Sequence, residues 1–582
     1  MENKLEKIRH SLSHLLAAAV LELYPKTKLG IGPVIENGFY YDFDFRGGVS
    51  PKDLNLEEIE GKMRELIAQK QKFEKKKITK RVAKRLFAVQ PYKLELIEEL
   101  PGETVSIYQN GDFVDLCKGP HIKSTKEINP NSFKLTKTAG AYWRGDEKNK
   151  MLTRIYGLAF ITEKELMDYI KIQEEAEKRD HRVLGEKLDL FMFSDIIGKG
   201  LPLLTEKGAA IRRELERLVI DEEIKRGYKH VYTPDLAKID LYKKSGHYPY
   251  YKDSMYPIMK IDDEELILRP MTCPHHYQLY LAKPRSYREL PFKIAELAKQ
   301  YRYEKSGELT GLIRVRSFCL ADSHIICRKE QAEGEINEVL DLIEYMAKIF
   351  DLKPNIDYRY RLSLGDRKDN KKYYKDDKSW DFAENVLRKV LKRRGAPFFE
   401  AEKEAAFYGP KIDIQMKNFA GKEETAFTVQ YDFVGPKRFN LTFTNNRGEK
   451  EEAIVLHRSS IGCIERIMAF LIEKYAGAFP VWLSPIQVAI IPISEKYNEY
   501  AKKIAEQCRV YELRFKIYDE NETLGKKIRE AEMQKIPYLL VVGDKEVSTN
   551  SVSVRQREKG DIEEMQIDKF IDKIKKEIKN RK

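Results

Sequence analysis

The sequence predicts a multidomain α+β protein, and three observations lead to this class. Its 582 residues exceed what one core usually holds, since domains run to roughly 100–200 residues. Helical apolar periodicity alternates along the chain with short runs of β-branched and aromatic residues. The composition, with 34% charged and 42% hydrophobic residues, is that of a folded globular protein. Three to five folded units are therefore expected.

The first 158 residues are predicted to form a mixed α/β domain. Apolar residues recur with helical spacing from about Leu5 to Leu23, which predicts the first helix. The stretch NGFYYDFDF has the alternation of a strand, and LEEIEGKMRELIAQKQKF (56–73) has that of an amphipathic helix. TVSIY and MLTRIYGLAF supply further strands.

Residues 159–187 are predicted to be a linker helix, because ITEKELMDYIKIQEEAEKRDHR (161–182) combines helical apolar spacing with dense charge. The largest domain follows over residues 188–480. It is expected to contain the long helix GAAIRRELERLVIDEEIKRG, several β-branched and aromatic strands, and the helix IGCIERIMAFLIEKY. These elements predict a large α+β body.

Residues 481–582 are predicted to form a small α/β domain with a parallel sheet. After the proline-containing strand FPVWLSPIQVAIIPIS, helix and strand signals alternate through EKYNEYAKKIAEQC, YELRFKIY, GKKIREAEMQ and PYLLVVG. Such alternation is typical of parallel strands joined by helices.

The charge balance favours a polyanionic partner. A net charge of +13 lets lysines and arginines neutralise phosphates and release counterions. The basic run QKQKFEKKKITKRVAKR (69–85) is either a contact for such a backbone or the solvated face of a helix. Six scattered cysteines indicate a reducing compartment, and no apolar run approaches the roughly 18 residues that span a bilayer. We expect a cytoplasmic protein with no membrane role.

A possible nucleotide site lies in the segment 298–327. The sequence has no GxxxxGK[ST] loop and no GxGxxG after a strand. Two strand-like arms joined by a polar loop instead offer a phosphate clamp, an acceptor for an amino group, a second cation and a stacking face, in the order Arg302, Glu304, Arg314 and Phe318. An ordinary charged hairpin is the alternative.

His10 and His14, four residues apart on the first helix, share one face. With Cys117 and His121 of DLCKGPH they form an HxxxH and CxxxH pattern, which by spacing alone indicates a zinc site. The histidine pair by itself is compatible with metal binding, acid–base chemistry or a plain surface role.

Several segments resemble the class II aminoacyl-tRNA synthetases. RYE followed by RVRSF resembles their motif 2, HRSSIGCIERIMAF resembles motif 3, and HVYTP resembles motif 1. Between and after these motifs, the chain contains RPMTCPHH, ADSHIIC, AFYGPKIDIQ, KIRE, PYLLVVGDKE and VSVRQR in the order seen in threonyl-tRNA synthetases. The HxxxH and CxxxH pattern is similar to the editing domains of the threonyl and alanyl types. The resemblance covers essentially the whole chain.

This resemblance implies an N-terminal editing domain, a class II catalytic core built on an antiparallel sheet with flanking helices, and a C-terminal anticodon-binding domain. The implied reaction attaches L-threonine to tRNA(Thr) through threonyl-adenylate, with ATP and Mg²⁺, and hydrolyses mischarged seryl-tRNA(Thr). It also implies a cytoplasmic homodimer formed through motif 1. Many bacterial members carry a ubiquitin-like domain before the editing domain, and we expect none here.

The resemblance also implies one zinc ion per subunit, held by Cys273, His324 and His457. Without it, Cys273 would be taken as a buried thiol and His324 as a core histidine. A zinc ion chelated by the amino and hydroxyl groups of threonine would reject valine. Serine keeps both chelating groups and lacks one methyl, a difference worth roughly 1–3 kcal/mol, so selection at this site should leak serine.

The site residues implied by the resemblance fall into four groups. Catalytic residues would be Arg302, Arg466 and Lys411. ATP would be bound by Arg302, Glu304, Arg314, Phe318 and Arg466, and threonine by Asp322, Tyr408 and Gln430. Editing would use His10, His14, Lys93, Asp115, Cys117 and His121, with metal-free hydrolysis favoured over zinc. The anticodon would be read by Glu546 and Arg555, with Asn521 and Arg529 as further candidates.

Three positions depart from the family pattern, namely Leu320, Thr425 and Cys463, and they put contacts around the substrates in doubt rather than the metal ligands.

Three rival functions remain. A class II enzyme of prolyl or seryl type is opposed by the Cys273, His324 and His457 set. A metal hydrolase acting in trans is opposed by the intact motif 2 and motif 3 arginines. A basic RNA-binding protein without catalysis is opposed by the two separate sets of histidines and cysteines, for which it would have no use.

Overall fold

The computed structural model describes residues 2–46, 53–419 and 421–582. They form two compact units, Met1–Glu174 and Glu175–Lys582. The elements of the first unit, the last of which runs into the second, are α1 (Glu2–Leu23), β1 (Lys28–Leu29), β2 (Val34–Ile35), β3 (Gly38–Asp44), α2 (Leu56–Ala68), β4 (Phe73–Thr79), α3 (Lys80–Leu86), α4 (Pro91–Glu99), β5 (Thr104–Asn110), β6 (Phe113–Leu116), β7 (Phe133–Tyr142), β8 (Met151–Ala159) and α5 (Glu163–Arg179).

The first unit is built on a five-stranded antiparallel sheet in the order β1-β3-β8-β7, with β2 paired to β3. Helices α1 and α2 pack together, and their apolar faces share a core with β3. The LLAAAV stretch of α1 is buried along its whole length, because small alanines allow close helix packing. A second sheet, β4-β5-β6, carries Asp115.

One predicted helix of this unit is wrong in part. The helix expected over 56–73 ends at Ala68, and Lys70 takes a φ of 54° in the turn that follows. Phe73 then begins β4, which pairs with β5 along its full length. The basic run 69–85 is therefore largely an edge strand followed by α3, and lysines are typical of edge strands, where they discourage pairing with other chains.

The second unit first contains α6 (His181–Lys187), β9 (Phe191–Met192), β10 (Leu203–Leu204), α7 (Glu206–Lys225), β11 (Lys229–His230), β12 (Leu236–Lys238), α8 (Ile239–Ser245), α9 (His247–Tyr250), β13 (Met259–Ile261), β14 (Glu264–Leu268), α10 (Cys273–Leu281), β15 (Phe292–Tyr301), β16 (Ser317–Cys327), α11 (Ala332–Ile349), β17 (Tyr358–Ser363), α12 (Asp377–Arg393), β18 (Phe398–Ala401), β19 (Lys411–Lys417), β20 (Glu423–Asp432), α13 (Gly435–Phe439), β21 (Thr442–Thr444), β22 (Lys450–Glu452), β23 (Ile454–Cys463) and α14 (Ile464–Lys474).

An eight-stranded sheet in the order β11-β15-β16-β23-β20-β19-β17-β18 organises this region. The six inner strands are antiparallel, and β11 and β18 join the edges in parallel, which confirms the predicted antiparallel core. The register sets His324 opposite His457, and His457 opposite Gln430. Directly opposed residues project from the same face, so these three side chains form one row across three strands.

The chain closes with β24 (Val488–Pro492), α15 (Asn498–Val510), β25 (Phe515–Ile517), α16 (Leu524–Met533), β26 (Tyr538–Val542), α17 (Asp544–Thr549), β27 (Ser551–Gln556), β28 (Gly560–Gln566) and α18 (Ile567–Lys579). The sheet order is β25-β24-β26-β27-β28. The predicted parallel pairing is confirmed for the first three strands and wrong for the last two, which are antiparallel. A parallel crossover needs a dozen or more residues, and the short α17 connection cannot supply them.

The connecting helix predicted over 161–182 is interrupted. Helix α5 ends at Arg179, and the Asp180 carboxylate accepts the N–H of Arg182 at 2.8 Å and so caps a new helix. None of the helices in the described ranges has both the length and the apolar character that a membrane crossing requires.

Candidate functional site

A cavity of about 240 Å³ opens on the eight-stranded sheet of the second unit. Its walls come from β16, β20, β23, α14 and the loop that joins β15 to β16. These elements bring together predicted residues that lie up to 164 positions apart in the sequence. The predicted residues on its walls are Arg302, Glu304, Arg314, Phe318, Asp322, Gln430, His457 and Arg466.

The cavity has two arginine groups with different surroundings. Arg302 lies 5.2 Å from the centre of the Phe318 ring, and burial lowers the pKa of its guanidinium. Arg314 lies 2.7 Å from the Glu304 carboxylate. A half-buried cation next to an aromatic face suits a polyanionic ligand that carries a planar ring, because phosphate offsets the charge and the ring can stack.

Arg466 is held in place by two backbone carbonyls. Its Nε donates to the carbonyl of Ile313 at 3.1 Å, and Nη1 donates to that of Thr425 at 2.8 Å. Ile313 belongs to the loop between β15 and β16, and Thr425 belongs to β20. The guanidinium thus connects the loop to the sheet at the wall of the cavity.

Cys273, His324 and His457 form a buried cluster behind this cavity. One ligand atom of each lies within 4.8 Å of the others. Cys273 is 5%, His324 1% and His457 7% exposed. Burial raises the pKa of the Cys273 thiol well above its ordinary value and lowers that of His324 well below its ordinary value. Two imidazoles and one thiol therefore converge on one point.

Hydrogen bonds fix the tautomers of His324 and His457. For His324 the partner is His276, whose Nε2 donates to Glu296 Oε2 at 3.2 Å. The other nitrogen of His276, Nδ1, therefore accepts from His324 Nδ1 at 2.7 Å. His457 Nε2 donates to Asp432 Oδ2 at 2.9 Å. The lone pairs of His324 Nε2 and His457 Nδ1 remain for a ligand, an arrangement typical of metal-binding histidines.

This donor set fits Zn²⁺. One thiolate and two imidazoles are ligands that zinc prefers, and three protein ligands leave a position for a substrate. A divalent cation would also favour the thiolate that burial alone disfavours. Asp432, which orients His457, accepts the backbone N–H groups of Val434 and Gly435 at 2.8 Å each and is itself rigidly held.

The predicted threonine-binding residues surround this cluster. Asp322 is buried, which raises the pKa of its carboxyl, and it accepts from Gln300 Nε2 at 3.2 Å. Tyr408 donates its hydroxyl to Gln430 Oε1 at 2.6 Å. Lys411 pairs in register with Gln430, but its ammonium lies 3.0 Å from Asp413 rather than on the cavity wall. Lys411 is thus near the site without lining it.

Sequence reasoning missed His247, the first residue of α9. It is 3% exposed, its Nδ1 lies 2.7 Å from Ser245 Oγ, and its buried Nε2 has no protein partner. Burial lowers the pKa of His247 to about 3, and its ring lies 6.3 Å from that of Tyr408. This nitrogen is free to hydrogen-bond with a water or a bound molecule. The run SGHYPYY carried no spacing pattern that could have found it.

The three departures from the family pattern, Leu320, Thr425 and Cys463, all line the cavity. Thr425 uses its hydroxyl to accept from Gln415 Nε2 at 2.6 Å, and the Cys463 thiol donates to Glu465 at 3.1 Å. The polar groups of Thr425 and Cys463 thus have partners within the protein. The departures therefore change the wall of the cavity and leave the cysteine and histidine cluster as it is.

A second cluster lies in the first unit. His10 and His121 each place Nε2 3.3 Å from Cys117 Sγ, and His14 lies beside His121 with a ring-centre distance of 4.3 Å. One ligand atom from each of the four lies within 4.8 Å of the others. Burial lowers the pKa values of the three histidines and raises that of Cys117 to about 11.

A buried ion pair lies next to this cluster. Lys93 Nζ is 2.5 Å from Asp115 Oδ1, and both side chains are at most 3% exposed. Tyr41 donates its hydroxyl to Asp115 Oδ2 at 2.6 Å and accepts from Lys93 Nζ at 2.9 Å. His14 Nε2 lies 3.8 Å from the same carboxylate. The structure thus brings all six predicted editing residues together, with neutral bases beside a fixed ammonium.

A cavity of about 730 Å³ leads to Cys117 and continues along Lys75, Lys77 and Lys118. Leu96, Leu100 and other apolar side chains form part of its wall. Cationic rims over an apolar floor suit a nucleotide, which has charged phosphates and a stackable base. Of the six predicted editing residues, Cys117 is the one that lines this cavity.

The four predicted anticodon residues lie apart in the C-terminal sheet region. Arg555 on β27 pairs with Glu532 at 3.3 Å and with Asp561 at 3.1 Å. The Glu546 carboxylate accepts the N–H of Gly543 at 2.9 Å. Asn521 lies just before α16 and Arg529 lies on it, and both are exposed. No direct contact among the four is seen in this part of the described chain.

Three family profiles match consecutive parts of the sequence. Residues 105–156 match the second additional domain of threonyl and alanyl tRNA synthetases. Residues 256–475 match the class II tRNA synthetase core domain for G, H, P, S and T. Residues 487–577 match an anticodon-binding domain.

Curated relatives match the whole chain. Threonine–tRNA ligases of Geobacillus sp. (strain WCH70) and Anoxybacillus flavithermus are each 48% identical over 583 residues, which is 100% of this chain and 89% and 90% of theirs. The ligase of Staphylococcus aureus (strain JH9) is 48% identical over 584 residues, 90% of its length.

Two solved structures are also similar. One is the RNA binding domain of a threonyl-tRNA synthetase from Cryptosporidium parvum, 32% identical with a TM-score of 0.65, covering 68% of this chain and 98% of that one. The other is described as a threonyl-tRNA synthetase from Aeropyrum pernix, 29% identical with a TM-score of 0.62, covering 69% and 96%.

Proposed function

Because the chain belongs to the threonine–tRNA ligases, a family of class II aminoacyl-tRNA synthetases, we propose that the cavity on its eight-stranded sheet is the amino-acid activation site. The protein charges tRNA with threonine in an ATP-dependent reaction and edits its product hydrolytically. The observation that supports the assignment is that Arg302, Arg466, the Phe318 ring and His457 line one pocket. His457 also belongs to the Cys273 cluster, which joins the cluster to the pocket.

ATP is proposed to bind with its α-phosphate on Arg302 and its adenine between Phe318 and Arg466. Glu304 is proposed to accept from the exocyclic amine, and Arg314, which pairs with Glu304 at 2.7 Å, is proposed as a further cation. The threonine carboxylate then attacks the α-phosphorus and pyrophosphate leaves, so no covalent enzyme intermediate is needed. The arginines offset the negative charge that develops, and positioning supplies much of the remaining acceleration. Mg²⁺ accompanies ATP in class II synthetases generally.

Cys273, His324 and His457 are proposed to hold one zinc ion per subunit. When bound, zinc would act as a Lewis acid toward the amino and hydroxyl groups of threonine. The protein contributes the orientation of its ligands through His276 and Asp432. Asp322 is proposed to accept from the substrate hydroxyl, and Tyr408, Gln430 and Lys411 are proposed to complete the pocket.

The first unit is proposed to hydrolyse seryl-tRNA(Thr) without a metal. A neutral histidine of the His10, His14 and His121 set would take a proton from water, because burial keeps these imidazoles unprotonated and able to accept it. Lys93 and Tyr41 would stabilise the charge on the ester as it is attacked. Cys117 supplies a neutral thiol that fixes two of the rings.

Further proposals concern organisation. Domain bounds of 1–158, 159–187, 188–480 and 481–582 are proposed, with Glu546, Arg555, Asn521 and Arg529 as contacts to the anticodon.

A homodimer is supported by large apolar side chains exposed around motif 1, including Ile196 at 97% and Tyr232 at 90%. Six unpaired cysteines support a reducing, cytoplasmic location.

Exchange of pyrophosphate into ATP in the presence of each amino acid tests the proposed activation site. We expect exchange with threonine, weaker exchange with serine and none with valine. If neither threonine nor serine supports exchange while seryl-tRNA is still hydrolysed, the chain is a hydrolase acting in trans and the activation site is assigned wrongly.

A further inference from the structure

His181, at the start of α6, is a buried histidine with no role in the chemistry proposed above. It is 1% exposed, and both ring nitrogens have partners. Nε2 accepts the backbone N–H of Leu312 at 3.1 Å, and Nδ1 lies 2.8 Å from Glu473 Oε1. Because Nε2 accepts, the ring proton resides on Nδ1 and is donated to Glu473. The imidazole thus bridges two segments that are far apart in the sequence.

A metal site is excluded by these same contacts. Asp180, His181 and Glu473 have ligand atoms within 4.8 Å of one another. The two nitrogens of His181 are both used, however, and the Asp180 carboxylate accepts from the N–H of Arg182 and pairs with its guanidinium at 2.6 Å. No free lone pair of the histidine points to a shared ion, so the group is a hydrogen-bonded bracket.

The bracket holds the loop that carries the ATP-site residues. Leu312 lies in the segment between β15 and β16, which includes Arg302, Glu304 and Arg314. The carbonyl of the next residue, Ile313, accepts from Arg466 at 3.1 Å. Two consecutive loop residues are therefore held, one through His181 and one directly.

Both attachments come from one face of α14. Arg466 and Glu473 are seven positions apart, close to two full helical turns, so their side chains leave the helix in the same direction. Glu473 holds Leu312 through His181, and Arg466 holds Ile313. Loss of one attachment should loosen the other, because adjacent residues of a loop move together.

The loop approaches the His181 ring most closely at Gly311. Its φ is +47°, and a Cβ built there would overlap the His181 imidazole. Leu312 is fully buried in the core of the unit. The loop is thus packed directly against the ring, and only glycine fits at the point of contact.

We propose that His181 is a positioning residue for ATP binding: with Glu473 it fixes the 302–316 loop on α14 and so sets the placement of Arg466 and Arg314 at the cavity. The proposal rests on the proposed activation site. It assigns a function to the DHR segment that follows the connecting helix. His181 does not contact substrate in this arrangement and acts through the loop.

Two disruptive variants and two controls test it in the full-length protein. His181→Asn keeps an amide beside Glu473 but is too short to reach Leu312, and Glu473→Met removes the acceptor at similar size. Glu473→Gln keeps an acceptor oxygen and should behave like the wild type. Tyr475→Phe removes the 3.0 Å bond from the end of α14 to Phe350, which does not involve the loop.

Amide hydrogen exchange of loop peptides and the KM values for ATP and threonine are measured for each variant. Losing a buried hydrogen bond should speed loop exchange roughly tenfold and raise the KM for ATP roughly tenfold, with the KM for threonine within about twofold of wild type. Both controls should leave the loop exchange and the KM for ATP unchanged.

The proposal is overturned if a disruptive variant that retains its Tm shows unchanged loop exchange or an unchanged KM for ATP. It is also overturned if Tyr475→Phe gives the same effects. If His181→Asn does not fold, Glu473→Met decides the outcome. A wild-type protein without threonine-dependent pyrophosphate exchange would refute the activation site instead, and the loop exchange would still show whether His181 holds the loop.

Discussion

Replacing Lys93 by Met should destabilise the first unit strongly, because it leaves the buried Asp115 carboxylate without its counter-ion. Lys93 Nζ lies 2.5 Å from Asp115, and the two side chains are 2% and 3% exposed. Breaking a buried ion pair from one side costs about 3–5 kcal/mol. Asp115 keeps the Tyr41 hydroxyl at 2.6 Å and the N–H of Leu116 at 2.7 Å, so we expect about 3 kcal/mol, the lower end of that range.

The double variant Lys93→Met/Asp115→Asn removes the stranded charge as well. It should recover about half of the lost free energy, since a neutral amide is less costly to bury than an unpaired carboxylate. Amide hydrogen exchange of β3 and β6 peptides in the full chain reports the free energy of opening locally. Both variants should also lose hydrolysis of seryl-tRNA while threonine-dependent pyrophosphate exchange in the second unit continues.

Two results would refute this reasoning. If Lys93→Met lowers the opening free energy by less than about 1 kcal/mol, the pair does not behave as a buried ion pair. If the double variant is no more stable than Lys93→Met, the stranded charge is not the cause of the loss. Lys62→Met, which breaks an exposed pair with Glu22 on the same unit, is the matched control and should change little.

Three further outcomes follow from the two clusters. Asp432→Asn should weaken zinc binding roughly 10- to 100-fold in a chelator competition, because the amide orients His457 less well, and unchanged affinity would contradict the assigned role of Asp432. Cys117, with a pKa of about 11, should react slowly with iodoacetamide at pH 8 and faster as the pH rises toward that value; fast alkylation at pH 8 would mean a free thiolate stabilised by a neighbouring positive charge and would contradict the neutral thiol. Cys117→Ser should retain most of the deacylation of seryl-tRNA, because a protonated thiol is not the nucleophile, and complete loss in a folded variant would assign the thiol a direct role.

Much of the fold could be predicted from the sequence, because long segments such as α7 and α14 follow helical periodicity closely. The errors arose where local signals conflict with tertiary pairing. Phe73 and the lysines after it look helical by composition, but β5 offers a complete partner strand. Asp180 ends one helix and caps another, which periodicity cannot show.

The candidate sites depended on resemblance more than on pattern. Cys273, His324 and His457 are separated by 51 and 133 residues, and only the strand register sets the two histidines opposite each other. The HxxxH and CxxxH pattern was visible by spacing, but the position of Lys93 beside Asp115 was not. His247 and His181 carry no motif that physical reasoning could use, and their roles emerge only from the hydrogen bonds their nitrogens make or lack.

Zinc content measured by elemental analysis tests most directly whether threonine is selected at one metal centre and serine removed at a metal-free one. We predict about one zinc ion per chain in the wild type, near zero in Cys273→Ala, and about one in His10→Ala. A full equivalent of zinc in Cys273→Ala would contradict the assigned centre. Two equivalents in the wild type, with one lost in His10→Ala, would contradict metal-free editing.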